Sequence, residues 1–513
     1  MRGGWRFLEE PARSASVRLL DSFDWGVYLA GAVIEERLEA GERRLLWHDL
    51  SGGEPAREQA IAQPPGLARD LPPGPVQALA VAAVGVRRLL PVVDLEAEIQ
   101  VLRLLDEEEK TRVRLAVEVY RLSGPDPHGA LAPRLRLIPL KGYEADAAAV
   151  AAWLEEDLAL QAALRPLVIE ALSAGQRPPG GYSSKLSYRL SRDQRADLAT
   201  REVLLGLLDT LEANVQGARE NLDSEFLHDL RVATRRTRAA LAQIPDVLPP
   251  QAEADFKARF AWLQQVTGPV RDLDVYLLDF DSYRDSLPPP MRGDLEALRA
   301  YILSHHADEQ GRLAEVLGSP LVADLVRDWR RTLADPAPVD PEPGNAARRI
   351  KDLADERIWR MVRRVRKEGR AITPNSAPAD MHELRKSCKK LRYLMEFFQS
   401  LYPGQGIGAA IKLLKLLLDN LGSFQDLAVQ AGHLRDMAVQ MQVQGLASTP
   451  ALLAMGALVA DLLRRQEAAR DAFADTFRGF DSDAGKALFR SLFHADPQAD
   501  AALGPQPDPG AAP

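Results

Sequence analysis

The chain has 513 residues, 46% apolar and 27% charged, enough for two or three domains with substantial cores. Its net charge of −8 excludes a coat of nucleic acid through overall charge, so any polyanion site must be local. A single cysteine, Cys388, excludes an internal disulfide and a thiol cluster for zinc. The mild apolar stretch at 76–86 is well short of the roughly 20 residues of a membrane span, and residues 1–10 mix arginine with glutamate where a signal peptide would be apolar. These features predict a reducing, cytoplasmic setting without a membrane partner.

In chain order, the runs at 16–23, 43–50, 98–105, 111–120 and 133–140 have strand texture between acidic or Gly/Pro turns. Residues 145–172 carry a helical period, so 1–172 reads as an α+β domain. SAGQRPPGGYSSKLSYRL (173–190) is punctuated as a linker, extended to 192. From 193 to 495 nearly every stretch has the 3.6-residue period, with breaks at Pro249, Pro288–Pro290, Pro336–Pro343 and Pro403. This region is predicted to be all-α, in blocks of 193–333 and 346–494 parted by a Pro-rich segment. The tail, 496–513, has the composition of disorder.

The two blocks repeat one another. HDLRVATRRTR (228–238) aligns with HELRKSCKKLR (382–392), an offset of 382 − 228 = 154. GPVRDL (268–273) and GSFQDL (422–427) share it, since 422 − 268 is also 154. Two motifs at one spacing establish a duplicated helical unit.

On a helix with His228 at 0°, Arg231, Arg235 and Arg238 fall within an arc of about 80° that includes the histidine. Leu230, Ala233, Thr237, Ala240 and Leu241 occupy the opposite face. The second motif repeats this phase, with His382, Arg385, Lys389 and Arg392 against Leu384, Leu391, Leu394 and Met395. Each helix thus carries a stripe of one sign, read here as uninterrupted by glutamate. A solvated structural face would intersperse both signs, and like charges one turn apart repel. Between 346 and 415 there are 17 Lys/Arg against 7 Asp/Glu, whereas 224–275 holds 7 of each. The helical segment 347–370 adds Arg363, Arg366, Lys367 and Arg370, while Lys412 and Lys415 are placed to extend the surface.

Arginine forks and lysine point charges along one line suit a linear chain of phosphates, and the histidines can donate to phosphate as well. Single-strand nucleic-acid binders interleave aromatic side chains to stack bases, and the stripes contain none. A base-free phosphate polymer is therefore favoured, with nucleic acid as the competitor. No P-loop, G-x-S-x-G or H-E-x-x-H pattern occurs, so neither an enzyme nor a cofactor is expected. A single acid per repeat, Asp272 and Asp426, points to capping a helix or orienting an arginine rather than to a metal.

The segments FLHDLRVATRRTRAAL and MHELRKSCKKLRYLMEFF, with GPVRDLDV and GSFQDLAV, resemble the CHAD family (conserved histidine α-helical domain) over roughly 195–495. The resemblance implies two pseudo-symmetric four-helix units, a basic central groove and binding of inorganic polyphosphate without catalysis. Carried over by position, His228, Arg231, Arg235, Arg236, Arg238 and Arg271 would line one wall. His382, Arg385, Lys386, Lys389, Lys390 and Arg392 would line the other, and Gln425 departs from Arg271. The segments at 19–37 and 134–146 look like the CYTH family, a triphosphate-tunnel barrel that often precedes CHAD domains. The E-x-E-x-K signature expected near the start is missing. Glu96, Glu98 and Gln100 form a partial match elsewhere, and Arg37 is the one strand arginine retained. This implies a degenerate, inactive CYTH-like domain. The expectation is a cytoplasmic polyphosphate binder that associates with polyphosphate granules. The alternatives are a hydrolase acting through the N-terminal domain and a scaffold binding DNA or an acidic partner.

Overall fold

A computed structural model describes residues 6–51, 56–123, 131–163, 165–174, 179–186, 188–334 and 344–494. The Pro-rich break between the repeats and the tail from 495 lie outside the described residues, apart from 334 and 344–346. The chain forms two compact units, 1–184 and 185–513.

The first unit is built on one antiparallel sheet. Its elements are β1 (Arg6–Glu9), β2 (Arg13–Asp21), α1 (Gly26–Leu29), β3 (Ala32–Glu39), β4 (Glu42–Asp49), β5 (Arg57–Ile61) and α2 (Pro75–Val84). They continue with β6 (Leu90–Leu105), β7 (Thr111–Leu122), β8 (Arg134–Pro139), α3 (Glu144–Glu156) and α4 (Leu167–Ala174). The strand order is β5-β4-β3-β2-β6-β7-β8, with β1 also pairing with β6. Alternation places Ala15, Val17 and Leu19 of β2, with Leu95, Ala97 and Ile99 of β6, on the face covered by Val168, Ala171 and Leu172 of α4. Leu20, Ile34 and Leu45 pack on the other side with Val76 and Ala80 of α2. Each strand-like run falls on a strand, overrunning its end by at most two residues, but the single helix expected over 145–172 is two helices, separated after Glu156. Short β1 and β5 gave no run long enough to show a period.

The second unit is all-α. Its first repeat contains α5 (Ala196–Arg219), α6 (Ser224–Gln243), α7 (Pro250–Val266), α8 (Gly268–Ser286), α9 (Glu296–Leu317) and α10 (Pro320–Ala334). The second contains α11 (Ile350–Ala371), α12 (Pro378–Phe397), α13 (Gly404–Val443), α14 (Thr449–Asp471), α15 (Phe473–Phe480) and α16 (Asp483–Phe493). Adding 154 to the starts of α5, α6 and α7 gives 350, 378 and 404, the starts of α11, α12 and α13. The duplication therefore extends to whole helices.

One difference between the repeats has a clear covalent cause. The 40-residue α13 corresponds to α7 and α8 together. In repeat one Pro269 lacks the N–H that would continue the ladder, and the helix breaks at Thr267. Ser423 holds the equivalent place in α13, and the helix runs through. The later halves of both repeats share a core, in which Tyr276, Phe280 and Tyr301 pack against Leu427, Leu434, Met455 and Leu458. Fully burying each such side chain contributes roughly 1.5–3 kcal/mol. Tyr276 donates to the carbonyl of Gln430 at 3.3 Å. Because 430 − 276 is 154, equivalent positions meet, as they do at a twofold axis.

Candidate functional site

The histidine helices α6 and α12 bury the faces their periodicity assigned. Leu230, Ala233, Thr237, Ala240 and Leu241 are buried in α6, as are Leu384, Leu391, Leu394 and Met395 in α12. Asp223 caps α6, accepting from the backbone N–H groups of Glu225 and Phe226. In α12 the corresponding residue is Ala377, and Asp380 compensates by accepting from the Ala377 N–H at 3.1 Å.

The two helices pack against each other and bring parts of the stripes together. Arg235 donates through Nε to the Tyr393 hydroxyl at 2.8 Å. Arg236 donates to Glu396 at 3.2 Å, and the other Glu396 oxygen accepts from Arg392 at 2.6 Å. Glu396 thus joins one arginine from each repeat. The stripe is not free of glutamate, as its motif suggested, because Glu396 lies one turn beyond Arg392 and within the same arc.

Lys389 is at the centre of this junction. Burial and the charges of Arg385, Arg235 and Arg392 push its ammonium down to about 8, with Asp426 pulling the other way. Arg235, Arg238, Lys389 and Lys390 form no ion pair among the described residues. Among the described residues most other cations lie beside a carboxylate, so positive charge is left over at this junction.

The N-terminal halves of the stripes are organised differently. Arg231 donates to the Gln264 carbonyl and the Thr267 hydroxyl, each at 2.9 Å, at the break between α7 and α8. Arg385, its equivalent, meets the unbroken α13 and donates to Asp426 at 2.9 Å. Asp426 therefore orients an arginine, one of the two roles expected of it. Arg271 donates to the Ser224 carbonyl at 3.2 Å and so braces the start of α6. Burial pushes the Asp272 carboxyl up, against Arg231, His433 and Arg271. His228 is half-buried at the head of its stripe. In the other stripe, Nδ1 of His382 and Nε of Arg385 are buried without a hydrogen-bond partner among the described residues.

Residues 202–435, which hold both stripes and both GPVRDL-type motifs, match the model of the CHAD domain. This chain carries a CHAD domain. Among solved structures, the CHAD domain from the plant Ricinus communis aligns at 24% identity with a TM-score of 0.47, over 57% of this chain and 95% of that one. PptA from Streptomyces chartreusis aligns at 16% identity with a TM-score of 0.42, over 56% of this chain and all of the other, 100%. No curated protein matches the chain.

Other cations expected at the CHAD site are more scattered. Arg363 and Lys367 are exposed on α11. Arg366 turns instead toward α15 and α16, lying over the Phe480 and Phe489 rings and pairing with Asp481 at 3.5 Å. Lys386 pairs with Glu383 on its own helix, while Lys412 and Lys415 are exposed on α13. Sequence reasoning missed Glu396, His433 and a buried His306–Asp274 pair at 2.9 Å. The helical phase of Glu396 was available from the motif, whereas His306 and His433 carried no repeated signal.

The N-terminal sheet lies outside the CHAD match. Its α4-covered face presents apolar Ala15, Val17 and Leu19 on β2, and its charges are paired internally. Glu35 pairs with Arg37 at 2.7 Å and with His48 at 3.2 Å, and Glu118 pairs with Arg136 at 2.6 Å. Glu96 and Glu98 of the partial E-x-E match are exposed, alternating with buried Leu95, Ala97 and Ile99. Among the described residues no helix is long and apolar enough to cross a membrane.

Proposed function

We propose that the CHAD domain binds inorganic polyphosphate along the His228–Arg238 and His382–Arg392 stripes. The observation that carries this reading is the meeting of Arg235, Arg385, Lys389 and Arg392 with too few carboxylates to neutralise them. Such a junction costs stability in the free protein and is relieved by a polyanion. The unpartnered His382 Nδ1 and Arg385 Nε supply further polar contacts for phosphate oxygens. The reading makes the protein a polyphosphate binder rather than an enzyme, placed in the cytoplasm and recruited to polyphosphate granules. The N-terminal unit is then a degenerate triphosphate-tunnel relative, because β2 offers apolar residues and the Glu96 and Glu98 carboxylates point away.

The test is binding of long-chain polyphosphate to the full chain across a salt series, with duplex DNA as competitor. Each engaged phosphate contributes about 0.7 to the log–log slope if the chain behaves as single-stranded polyanions do. Replacing His382, Arg385 and Lys389 by alanine should flatten that slope by about 2. An unchanged slope would make the stripes structural. Displacement by DNA at equal phosphate concentration would shift the assignment to nucleic acid, and phosphate release with magnesium would shift it to hydrolysis.

A further inference from the structure

The repeats match in backbone but not in charge along one edge. Lys412 and Lys415 of α13 are exposed, and neither forms an ion pair among the described residues. Subtracting 154 gives Ala258 and Ala261 of α7, so repeat one has no positive charge at these places. Lys415 and Lys412 precede Asp426 by 11 and 14 residues, about three and four helical turns, which returns them to within roughly 40° of its face. Asp426 is held by Arg385, so this is the face of α13 that borders the α12 stripe.

The two helices form an antiparallel hairpin, joined through the short connection at 398–403. Moving along α12 from Arg385 to Arg392 therefore moves along α13 from Asp426 toward Lys415. The positive wall passes from one helix to the next with two exposed acids on the line, Asp426, which Arg385 holds, and Asp419. In repeat one the same path ends in alanine.

We propose that a polyanion longer than the histidine stripes leaves the site over repeat two, along α13 past Lys415 and Lys412, so that the CHAD domain selects long linear chains and holds them asymmetrically. This deepens the polyphosphate reading and rests on it. Chains confined to the stripes have little use for the two lysines, whereas longer chains gain two phosphate contacts.

The experiment measures binding of a length series of inorganic polyphosphate to the full chain and to the Lys412→Ala/Lys415→Ala variant. Both lysines are exposed, and unchanged thermal unfolding confirms that the variant is folded. For the longest chains the affinity loss should exceed that for the shortest by about ten-fold, and the salt slope should fall by about 1.4. A charge-matched control, Lys257→Ala/Lys486→Ala, should show no dependence on length, because those lysines pair with Glu253 and Asp483 elsewhere. A loss equal at every length, or one reproduced by the control, overturns the proposal. Failure of the unaltered protein to bind any chain overturns the underlying reading instead.

Discussion

Arg385 donates to both carboxylate oxygens of Asp426, at 2.9 and 3.2 Å, and this pair replaces the backbone contacts that Arg231 makes in the other repeat. The reason is the helix break. At Thr267 the ladder is interrupted and Arg231 can reach a backbone carbonyl, whereas α13 presents only side chains to Arg385. The two arginines should therefore differ in what their loss costs. Arg231→Ala strands polar groups at a buried corner and should lower unfolding stability by about 1–3 kcal/mol. Arg385→Ala breaks a pair whose acid is 61% exposed and should cost less than about 1 kcal/mol, while weakening polyanion binding more. Denaturant unfolding of both variants checks the order, and the reverse order would contradict this account.

The break itself can be moved. Ser423→Pro removes a ladder hydrogen bond and sets a ring against the Asp419 carbonyl, so α13 should lose about 3 kcal/mol. Pro269→Ser should be far milder, because it restores an N–H at a corner already held by Arg231. Thermal unfolding of the two single variants separates them. Equal losses would mean that the kink is imposed by packing rather than by proline.

Lys389 links function to pH. Its free ammonium titrates near 8, below the ordinary 10.5, and a bound polyanion raises it. Affinity is whole below pH 8 and falls as pH rises through that value, with proton uptake on binding. Lys389→Arg stays charged and should flatten the dependence between pH 8 and 10. Calorimetry in buffers of different ionisation heat would reveal the uptake, and a flat profile for the unaltered protein would remove Lys389 from the site.

The same shift affects folding. Between pH 8 and 10.5 the folded state binds fewer protons at Lys389 than the unfolded state, so stability rises with pH across that window. At pH 7 the charged side chain opposes folding, and Lys389→Met should stabilise by about 1 kcal/mol after allowance for solvent screening. A melting series from pH 7 to 10 should show the two proteins converging. A variant less stable than the parent at pH 7 would assign Lys389 a structural pairing instead.

In the N-terminal unit, burial would raise the Glu35 carboxyl, but His48 and Arg37 outweigh it and hold it at about 2. Its folded value lies below the ordinary 4.5, so its stabilisation is present above pH 4.5 and is lost as pH falls through 2. Glu35→Gln should cost about 3 kcal/mol near neutrality by leaving Arg37 uncompensated. The difference should disappear in acid, as followed by circular dichroism, and a pH-independent loss would point to packing alone.

Much of the helical unit was legible because helix phase is a local property. The repeat of His228 and Arg231 in His382 and Arg385 set the offset to which the later helices conform. The apolar positions of both motifs, Leu230 and Leu384 among them, are buried as their spacing required. The N-terminal strands were legible where alternation was long, as in β6 and β7, and illegible in short β1 and β5.

What only the tertiary structure decided is which charges meet. Arg363, Arg366 and Lys367 share one sequence segment, yet packing of α11 against α16 turns Arg366 to Asp481 and leaves the other two exposed. Tyr393 and Glu396 had the right phase for the stripe, but their roles exist only because α6 lies against α12. The chain by itself determined the duplicated helices and the face on which each carries its charge, because 3.6-residue periodicity is written into every turn. The partners of those charges depend on contacts as much as 160 residues apart, and local patterning holds no information about them.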